Sequence, residues 1–393
     1  MKITAMAEMP ASIRLEMRSA GLDWSEMTSS LVAIESDVVR NGKPLVGYAF
    51  NSVGRYACGE AMRSRFFPRV MAADPASLLD ETGDNFSAEK LLSTLSLREK
   101  AGGHAERSVA IGTIEVAMWD LIAKIEGKPL WAVLNDRFGG MDDRTRIPAY
   151  VGGGWYWPND SLQRLKDELR QSLNLGYRMV KVKIGGIPLE QDIPRIEAAL
   201  SVLEGGRQLA VDANGKFGRE SSLAYADALK PYGLAWYEEP TDPGDYALMK
   251  EVAQRYPHPI GVGENLHSTQ DAINLGLYAG LRPSLDYIQI DPPQCYGIGT
   301  LVRSLQAMER QGWSRKQFWP HGGNMMNLHM VIGLGLGGAE AFTNVFGPFG
   351  GFADDVWIED GHLSLPQTPG IGFESQPALF KLFQQVLPSA RRG

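Results

Sequence analysis

Three short runs in the middle of the chain share one pattern: LAVDAN at residues 209–214, WYEEP at 236–240 and GVGEN at 261–265. Each is an apolar, strand-like run that carries a carboxylate at its end, and Asp212, Glu238 and Glu264 follow one another at an even spacing of 26 residues. That spacing is about the length of one strand, one helix and two short loops, so the pattern predicts one oxygen ligand from each βα unit, delivered to one place. Three oxygen donors without a cysteine or histidine cluster favour Mg²⁺ over zinc or copper.

The size and charge of the chain limit the kinds of protein it can be. With 393 residues it exceeds the usual size of one hydrophobic core, which favours one large domain and a smaller one. Apolar residues make up 44% and charged residues 22%, as in ordinary globular proteins. The net charge of −7 and the lack of a lysine- and arginine-rich run argue against nucleic acid or an anionic membrane surface as the main partner. An anionic substrate would therefore need a local pocket of positive charge.

Cysteine usage and hydropathy predict a cytoplasmic protein without a membrane partner. The two cysteines, Cys58 and Cys295, are far apart in the sequence, which suits a reducing cytosol better than a disulfide framework. The first ten residues lack a sustained apolar region, and no stretch approaches the roughly 18 apolar residues of a membrane span.

Residues 1 to about 125 predict an α+β module rather than alternating strands and helices. Strand-like runs at 30–39 and 45–50 are joined by a turn at Asn41-Gly42, which is typical of a β-hairpin. Helical spacing follows, with one apolar face formed by Ile111, Ile114, Met118, Leu121 and Ile122.

From about residue 145 the pattern changes to alternating strands and helices. The predicted strands are 147–152, 177–184, 208–213, 234–239, 259–264, 286–291, 317–321 and 340–346, and the clearest helix is 188–203. Seven or eight strands separated by helices favour a parallel barrel, with an open doubly wound sheet as the alternative. The chain after about residue 352 breaks this pattern and is expected to fold back onto the N-terminal module.

The alternation of side chains along a strand predicts which polar residues point together. Lys181 and Lys183 share one strand face, as do Asp212 and Asn214, and Asp291 shares a face with Gln289. In each strand the polar set lies at the C-terminal end, where parallel barrels build their active sites. Read singly, Asp212 could belong to a turn, and Glu238-Glu239 could be a solvated strand end in which only one glutamate faces inward.

The paired lysines, Lys181 and Lys183, are candidates for acid–base chemistry. Two ammonium groups on the same face of an apolar strand destabilise each other's charge, and desolvation adds to this, so both effects lower a lysine pKa towards values useful for a general base. A nearby metal ion would lower it further. The alternative is a structural pair of lysines that form ion pairs.

His321, at the end of the next-to-last predicted strand, is the one histidine placed for catalysis. Asp291 ends the preceding strand on the inward face, so the two can form an Asp–His pair that fixes the imidazole tautomer and raises its basicity. Glu340 begins the final strand. As a protonated acid it could hydrogen-bond a substrate oxygen, whereas as an ordinary strand-start glutamate it would have no such role.

Together these residues resemble the enolase superfamily, and within it the mandelate racemase subgroup. The resemblance rests on Lys181-Val182-Lys183, Asp212 with Asn214, Glu238, Glu264, Asp291 and His321, and extends to AMWDL at 117–121 followed by GKPL at 127–130. It implies a (β/α)7β TIM-like barrel at 126–352, an N-terminal α+β capping domain at 1–125 and a C-terminal tail at 353–393 that completes the cap. Such α/β enzymes use a lysine or histidine base with Mg²⁺ to stabilise an ene-diolate.

The resemblance also implies a role for each residue. Asp212, Glu238 and Glu264 would bind one Mg²⁺, Lys183 would be the base on one face of the substrate with Lys181 tuning it, and His321 with Asp291 would be the acid/base on the other face. Asn214 and Glu340 would lie near the substrate. A small hydroxy-carboxylate substrate and a symmetric homo-oligomer are expected.

The reaction depends on what His321 does after the proton is removed. Protonating a β-hydroxyl would release water and give a 2-keto-3-deoxy acid, whereas returning a proton to the same carbon would make a racemase or epimerase. The stretches KVKIGG at 181–186, PHGG at 320–323 and GGHAERS at 102–108 resemble acid-sugar dehydratases, the D-tartrate branch in particular. The stretches PPQC at 292–295 and NMM at 324–326 depart from that branch, so a related aldarate or aldonate is the alternative. A non-catalytic binding protein on the same scaffold is a further alternative.

The capping domain is expected to set specificity. A mobile N-terminal loop at about 8–28 would close over the substrate and exclude water. Lys100 is a candidate partner for a substrate carboxylate, although a surface lysine is the simpler interpretation. Trp155-Tyr156-Trp157 could line the pocket or fill the core.

Overall fold

The computed structural model describes residues 1–343 and 345–390, with side chains up to residue 388. Residue 344, inside the predicted strand 340–346, and residues 391–393, at the end of the predicted tail, lie outside the described residues. In the part of the chain that is described, none of the helices is both long enough and apolar enough to span a membrane.

The N-terminal module is built on a three-stranded antiparallel sheet. Its strands are β1 (Ile3–Ile13), β2 (Met27–Arg40) and β3 (Lys43–Phe50). The predicted hairpin between β2 and β3 is confirmed: Arg40 pairs with Lys43, and Asn41 and Gly42 both have positive φ, 51° and 73°. Residues with positive φ at both central positions match the right-handed twist of the flanking strands, which is why an Asn-Gly pair occurs here.

Helices follow this sheet along the chain. They are α1 (Gly59–Ala61), α2 (Phe67–Met71), α3 (Ala88–Leu95), α4 (Ala105–Glu126) and α5 (Leu130–Phe138). Nearly the whole of α4 is buried, because it packs between the sheet and the following domain. It ends at Gly127, whose φ of 70° gives the left-handed C-terminal cap that favours glycine.

The second domain is a parallel barrel. Its strands are β4 (Arg146–Gly153), β5 (Val180–Lys183), β6 (Leu209–Asp212), β7 (Trp236–Glu238), β8 (Ile260–Val262), β9 (Tyr287–Ile288) and β10 (Ala339–Ala341). Strands β4 to β9 pair in chain order, Phe318 bridges Ile288 of β9 and accepts a hydrogen bond from the Gly337 N–H, and β10 pairs with β4. The segment around Phe318 thus takes the seventh of eight positions and the sheet closes, which confirms the predicted barrel.

Helices follow the first seven of these eight strand positions. They are α6 (Leu162–Asn174), α7 (Leu189–Leu200), α8 (Arg219–Leu229), α9 (Tyr246–Arg255), α10 (Thr269–Tyr278), α11 (Ile298–Glu309) and α12 (Met325–Gly333). The predicted helix 188–203 corresponds to α7. Each helix buries an apolar stripe against the barrel, so the barrel interior is left to the inward-facing side chains.

The chain after the barrel returns to the N-terminal module. A small hairpin of β11 (Ile358–Glu359) and β12 (His362–Ser364) first pairs with β4 in antiparallel orientation. The Ile371 N–H then donates to Asp120 of α4, and the final helix α13 (Pro377–Ala390) packs against β1 and β2. The expected return of the tail is therefore seen, while the exact domain limits 1–125, 126–352 and 353–393 stay predictions.

The barrel interior is layered in a way that positions the site. An apolar cluster of Tyr150, Ala210, Ala235 and Trp236 closes the N-terminal end of the barrel. Ala210 and Trp236 lie two residues before Asp212 and Glu238 on the same strand faces, so these carboxylates stand directly above the apolar layer. The charged residues consequently lie at the C-terminal ends of the strands.

Candidate active site

The three evenly spaced carboxylates come together. Asp212 ends β6, Glu238 ends β7 and is paired with Asp212 in the parallel register, and Glu264 follows β8 by two residues. One ligand oxygen from each lies within 4.8 Å of the other two. Burial raises the pKa of Glu238 to about 7, whereas at Asp212 the ammonium groups of Lys183 and Lys181 outweigh burial and lower the pKa.

This cluster fits a divalent cation. The Oε2 atom of Glu264 is buried and accepts no hydrogen bond from any described residue. Leaving a carboxylate oxygen unpaired in a buried site is costly, and a cation between the three carboxylates would satisfy it. Because all three donors are carboxylate oxygens, the set suits a hard cation better than zinc or copper.

Lys181 and Lys183 lie beside these carboxylates on β5. Lys181 Nζ contacts Glu238, is 2.8 Å from Glu340 and 3.6 Å from Asp212, while Lys183 Nζ contacts Asp212. Burial alone would lower the pKa of Lys181, but the surrounding carboxylates outweigh it and hold the pKa well above its usual value. The expected lowering by the second lysine is therefore wrong for Lys181 in the metal-free site, because its nearest charges are negative.

Lys183 has different surroundings from Lys181. Its ammonium lies 4.4 Å from the centre of the Trp155 ring, which is a cation–π contact. Trp155, the first residue of the predicted Trp-Tyr-Trp wall, is buried and thus shields Lys183 from solvent. Low local polarity of this kind strengthens every charge interaction of the ammonium group.

The predicted Asp–His pair forms. His321 Nδ1 is 2.9 Å from Asp291 Oδ2, which leaves Nε2 directed towards Glu264 Oε2 at 3.5 Å. The backbone places His321 here, since its N–H and that of Trp319 donate to the Gln289 and Ile288 carbonyls. Burial lowers the pKa of the imidazole, but Glu264 and Asp291 outweigh it and raise the pKa to about 9.

Glu340 connects the lysine side of the site with the histidine side. Its Oε1 lies 2.8 Å from Lys181 Nζ, and its Oε2 accepts a hydrogen bond of 2.9 Å from the Gly322 N–H. Burial raises its pKa, yet Lys181 and His321 outweigh burial and the net pKa is lowered. The ionised, ion-paired form is therefore favoured over the protonated acid considered above.

Of the predicted substrate contacts Asn214 and Lys100, one lies at the site and the other does not. Asn214 lies at the site in the left-handed region, with φ of 49°, and its buried Oδ1 has no hydrogen-bond partner among the described residues. Lys100, in contrast, is exposed and does not line the cavity described next. The structure thus brings Asn214 to the carboxylates and does not bring Lys100 there.

A cavity of about 190 Å³ lies between the two domains and reaches Glu264 of the carboxylate cluster. The barrel contributes Glu264, His321 and Asn214 to its lining, and the N-terminal module contributes Leu22 and the segment 53–55. The predicted loop 8–28 is shorter than expected, because residues up to Ile13 belong to β1 and β2 begins at Met27. Residues 14–26 form the loop, and Leu22 is the part of it that reaches the cavity.

Sequence reasoning missed several residues of this site. Both Glu238 and Glu239 are buried, because a φ of 43° at Glu239 turns its side chain inward as well. Asn265 Nδ2 donates to Glu239 Oε1 at 2.6 Å, and Trp236 Nε1 and Gln289 Nε2 both donate to Glu238 Oε2 at 2.7 Å. Strand parity gives Trp236 and Gln289 the inward face, but it carries no signal for a left-handed residue such as Glu239.

Relatives of known activity resemble the chain over about two thirds of its length. Arabinonate dehydratase of Saccharolobus solfataricus is 26% identical over 70% of this chain and 72% of its own length. A 3,6-anhydro-α-L-galactonate cycloisomerase of Streptomyces coelicolor is 30% identical over 69% of this chain and 70% of its own length. L-talarate/galactarate dehydratase of Salmonella typhimurium is 28% identical over 67% of this chain and 62% of its own length.

The solved structures agree on the fold. A racemase from Streptomyces coelicolor A3(2) with bound magnesium superimposes with a TM-score of 0.77 at 25% identity, over 96% of this chain and 99% of that one. The family model described as enolase C-terminal domain-like matches residues 164–379, more than half of the chain. This match spans the strands that carry the lysines, the carboxylates and the Asp–His pair. The chain therefore belongs to the enolase C-terminal domain-like family and is an enzyme of the enolase superfamily.

Proposed function

We propose that this enzyme is a Mg²⁺-dependent acid-sugar dehydratase. The observation that carries the proposal is the order of groups around the barrel: Lys183 on β5 contacts the first of the three carboxylates, and His321 approaches the third. A base and an acid thus flank one group of oxygen ligands. Two of the relatives described above are dehydratases of sugar acids, which supports the same reaction class.

In the first step, Lys183 removes the proton from the carbon next to the substrate carboxylate. Removing this proton places additional negative charge on the carboxylate, and a bound Mg²⁺ would stabilise that charge in the transition state. Lys181 remains protonated between Glu238 and Glu340 and adds a fixed positive charge beside the carboxylate ligands. The enclosed position of Lys183 against Trp155 excludes water from the base.

In the second step, His321 protonates the hydroxyl on the neighbouring carbon from Nε2. The carbon–oxygen bond breaks, water leaves, and the resulting enol tautomerises to a 2-keto-3-deoxy acid. Asp291 holds Nδ1, so that Nε2 is the nitrogen left free to give the proton. The substrate is a D-tartrate-like or related aldarate or aldonate, and Asn214 Oδ1 is available to one of its hydroxyl groups.

A racemase or epimerase acting on a 2-hydroxy acid is the second candidate, supported by the racemase structure described above. It would use the same two residues on opposite faces of one carbon. The two candidates differ in product, since only dehydration releases a keto acid.

The test is to incubate the enzyme and Mg²⁺ with a panel of acid sugars and to trap α-keto acid with semicarbazide. A keto acid from at least one substrate is expected. Proton NMR in D₂O then shows the order of steps: a His321→Asn variant should still exchange the α-proton through Lys183 while forming no keto acid. Inversion at the α-carbon without keto acid from the wild-type enzyme would identify an epimerase and contradict the proposal. A cytoplasmic location and a symmetric homo-oligomer remain part of the proposal.

A further inference from the structure

Two cationic side chains at the cavity, Arg55 and Lys216, are not used by the chemistry proposed above. Arg55 comes from the N-terminal module and Lys216 from the loop after β6, and both line the cavity together with His321 and Glu264. One end of a substrate bound there would face the catalytic residues, while the rest would extend between the two domains.

Neither cation is neutralised by a carboxylate. Among the described residues, the ion pairs of the site involve Lys181, Lys183 and His321, and none involves Arg55 or Lys216. The Arg55 guanidinium donates to the neutral amide oxygen of Asn265, and the Nδ2 of the same amide donates to Glu239. Asp242 also lines the cavity, but its Oδ1 accepts the Gly244 N–H within its own turn.

The surroundings also hold the two cations in place. Asn265 directly follows the cation ligand Glu264, so Arg55 is fixed next to the carboxylate cluster. The Lys216 side chain lies so close to Gly21 of the 14–26 loop that a Cβ at Gly21 would be 2.2 Å from Lys216 Cε. The glycine therefore leaves room for the lysine stem between the loop and the barrel.

Arg55 is half-buried and Lys216 is exposed, and both line the same cavity without a carboxylate partner among the described residues, so their charges are available to an anion bound there. A guanidinium presents parallel N–H groups that match a carboxylate, and charged hydrogen bonds of this type are the strong ones. In the proposed reaction, Mg²⁺ held by the three carboxylates would bind the carboxylate at the reacting end of the substrate, so Arg55 and Lys216 are not needed there.

We propose that Arg55 and Lys216 bind a second carboxylate at the far end of the substrate, so that the enzyme selects dicarboxylic sugar acids over monocarboxylic ones. This inference rests on the proposed function and narrows its substrate class from aldarate or aldonate to aldarate. Because Arg55 and Lys216 come from different domains, the second carboxylate also joins the cap to the barrel in the bound state.

The experiment compares acids that differ only at the far end: galactarate with galactonate, glucarate with gluconate, and tartrate with threonate. The kcat/KM for each is measured with wild-type, Arg55→Met and Lys216→Met enzymes in Mg²⁺. The wild-type enzyme should prefer the diacid of the productive pair. Each variant should lower kcat/KM for the diacid about 10- to 100-fold, mainly through KM, because a charged hydrogen bond is lost. The kcat/KM for the monoacid should change less than about threefold in either variant.

Two further measurements separate this inference from its alternatives. Arg55→Lys should recover part of the diacid preference, and the exposed Arg310→Met and Lys381→Met changes should leave it as in the wild type. Calorimetric binding of the same pairs to the Lys183→Ala enzyme gives a readout that does not need turnover. If the diacids bind more tightly than the monoacids, this preference depends on Arg55, and the wild-type enzyme forms no keto acid, the result would support this inference while contradicting dehydration.

The opposite results would overturn the inference. Equal or better use of the monoacids with keto-acid formation would leave the dehydratase in place and remove the second carboxylate site. A diacid preference that persists in Arg55→Met and Lys216→Met, or the absence of binding by every acid tested, would also overturn it.

Discussion

Lys181 and Lys183 lie two residues apart on one strand face, yet their different contacts suit them to different roles. Lys181 contacts Glu238, Glu340 and Asp212 and is held as a cation, whereas among the described carboxylates Lys183 contacts one, Asp212, and it lies against Trp155. A group enclosed by three carboxylates is a poor base. Lys183, which has one carboxylate contact among the described residues, is therefore the proposed base.

Replacing Lys183 with alanine should therefore remove turnover without unfolding the protein. The expected fall in kcat is about 10²- to 10⁴-fold, the range for loss of a general base, and α-proton exchange with D₂O should disappear as well. Steady-state kinetics and proton NMR measure the two effects. The exposed Lys250→Ala change on α9 is the matched control. Full activity in Lys183→Ala would show that another group is the base.

At the scale of elements, Glu115 joins the long helix α4 to the barrel helix α11. Its carboxylate accepts the N–H groups of Ile298 at 2.8 Å and Gly299 at 2.9 Å, and also that of the Trp119 indole at 2.9 Å. The residue before α11 is Gly297, which has no side chain to cap the helix. A residue from the other domain thus caps the helix that follows Asp291.

A Glu115→Gln variant should be less stable by about 1–3 kcal/mol, because an amide has one acceptor oxygen where the two oxygens of Glu115 accept three buried N–H groups, so at least one N–H loses its partner. Urea denaturation at pH 7 measures the change. Glu220→Gln is the matched control, since Glu220 lies in the first turn of α8 but is exposed, and its effect should stay within about 0.5 kcal/mol. Equal losses in both variants would contradict the capping role.

At the scale of the whole molecule, cation binding should stabilise the fold. The carboxylates of Asp212, Glu238 and Glu264 repel one another in a buried place, and the unfolded chain does not assemble them. Mg²⁺ at a hundred times its Kd should add about 3 kcal/mol to the free energy of unfolding, and chelation with EDTA should remove it. Thermal unfolding with and without Mg²⁺ measures this. A Glu264→Gln variant should lose most of the Mg²⁺-dependent shift in Tm, and an unchanged shift would argue against the site.

His329 connects three distant segments and makes the stability depend on pH. On α12, its Nδ1 accepts the Trp131 N–H of α5, and its Nε2–H donates to the Ile371 carbonyl of the tail, both at 3.0 Å. Burial lowers the pKa of this imidazole from 6.5 to about 4. Below pH 6.5 the unfolded chain therefore takes up a proton that the folded state does not, so this contribution to stability is complete above pH 6.5 and falls as the pH drops towards 4.

Between pH 7 and pH 5 the wild-type protein should consequently lose about 2 kcal/mol more stability than a His329→Gln variant, which cannot titrate. Urea denaturation at the two pH values measures the difference. His362→Gln, at a half-buried histidine on β12, is the control and should keep the wild-type pH dependence. Parallel pH profiles for wild type and His329→Gln would contradict the assignment.

The sequence by itself determined the barrel and most of the polar residues at its mouth. Strand length, helix period and side-chain alternation are local properties, and they place Asp212, Glu238 and Lys183 at strand ends without knowledge of the rest of the chain. The even spacing then implies convergence, because parallel strands end at one edge.

Only the tertiary structure decided the protonation states of the site residues and which side chains contact one another. The pKa direction of Lys181, the inward turn of Glu239 and the placement of Arg55 and Lys216 at one cavity all depend on residues far apart in the chain. Electrostatic interactions and burial act through space rather than along the sequence, so no local pattern carries them. For the same reason the candidate Lys100, for which a surface lysine was the simpler interpretation, does not line the cavity, while Arg55, which carries no motif, does.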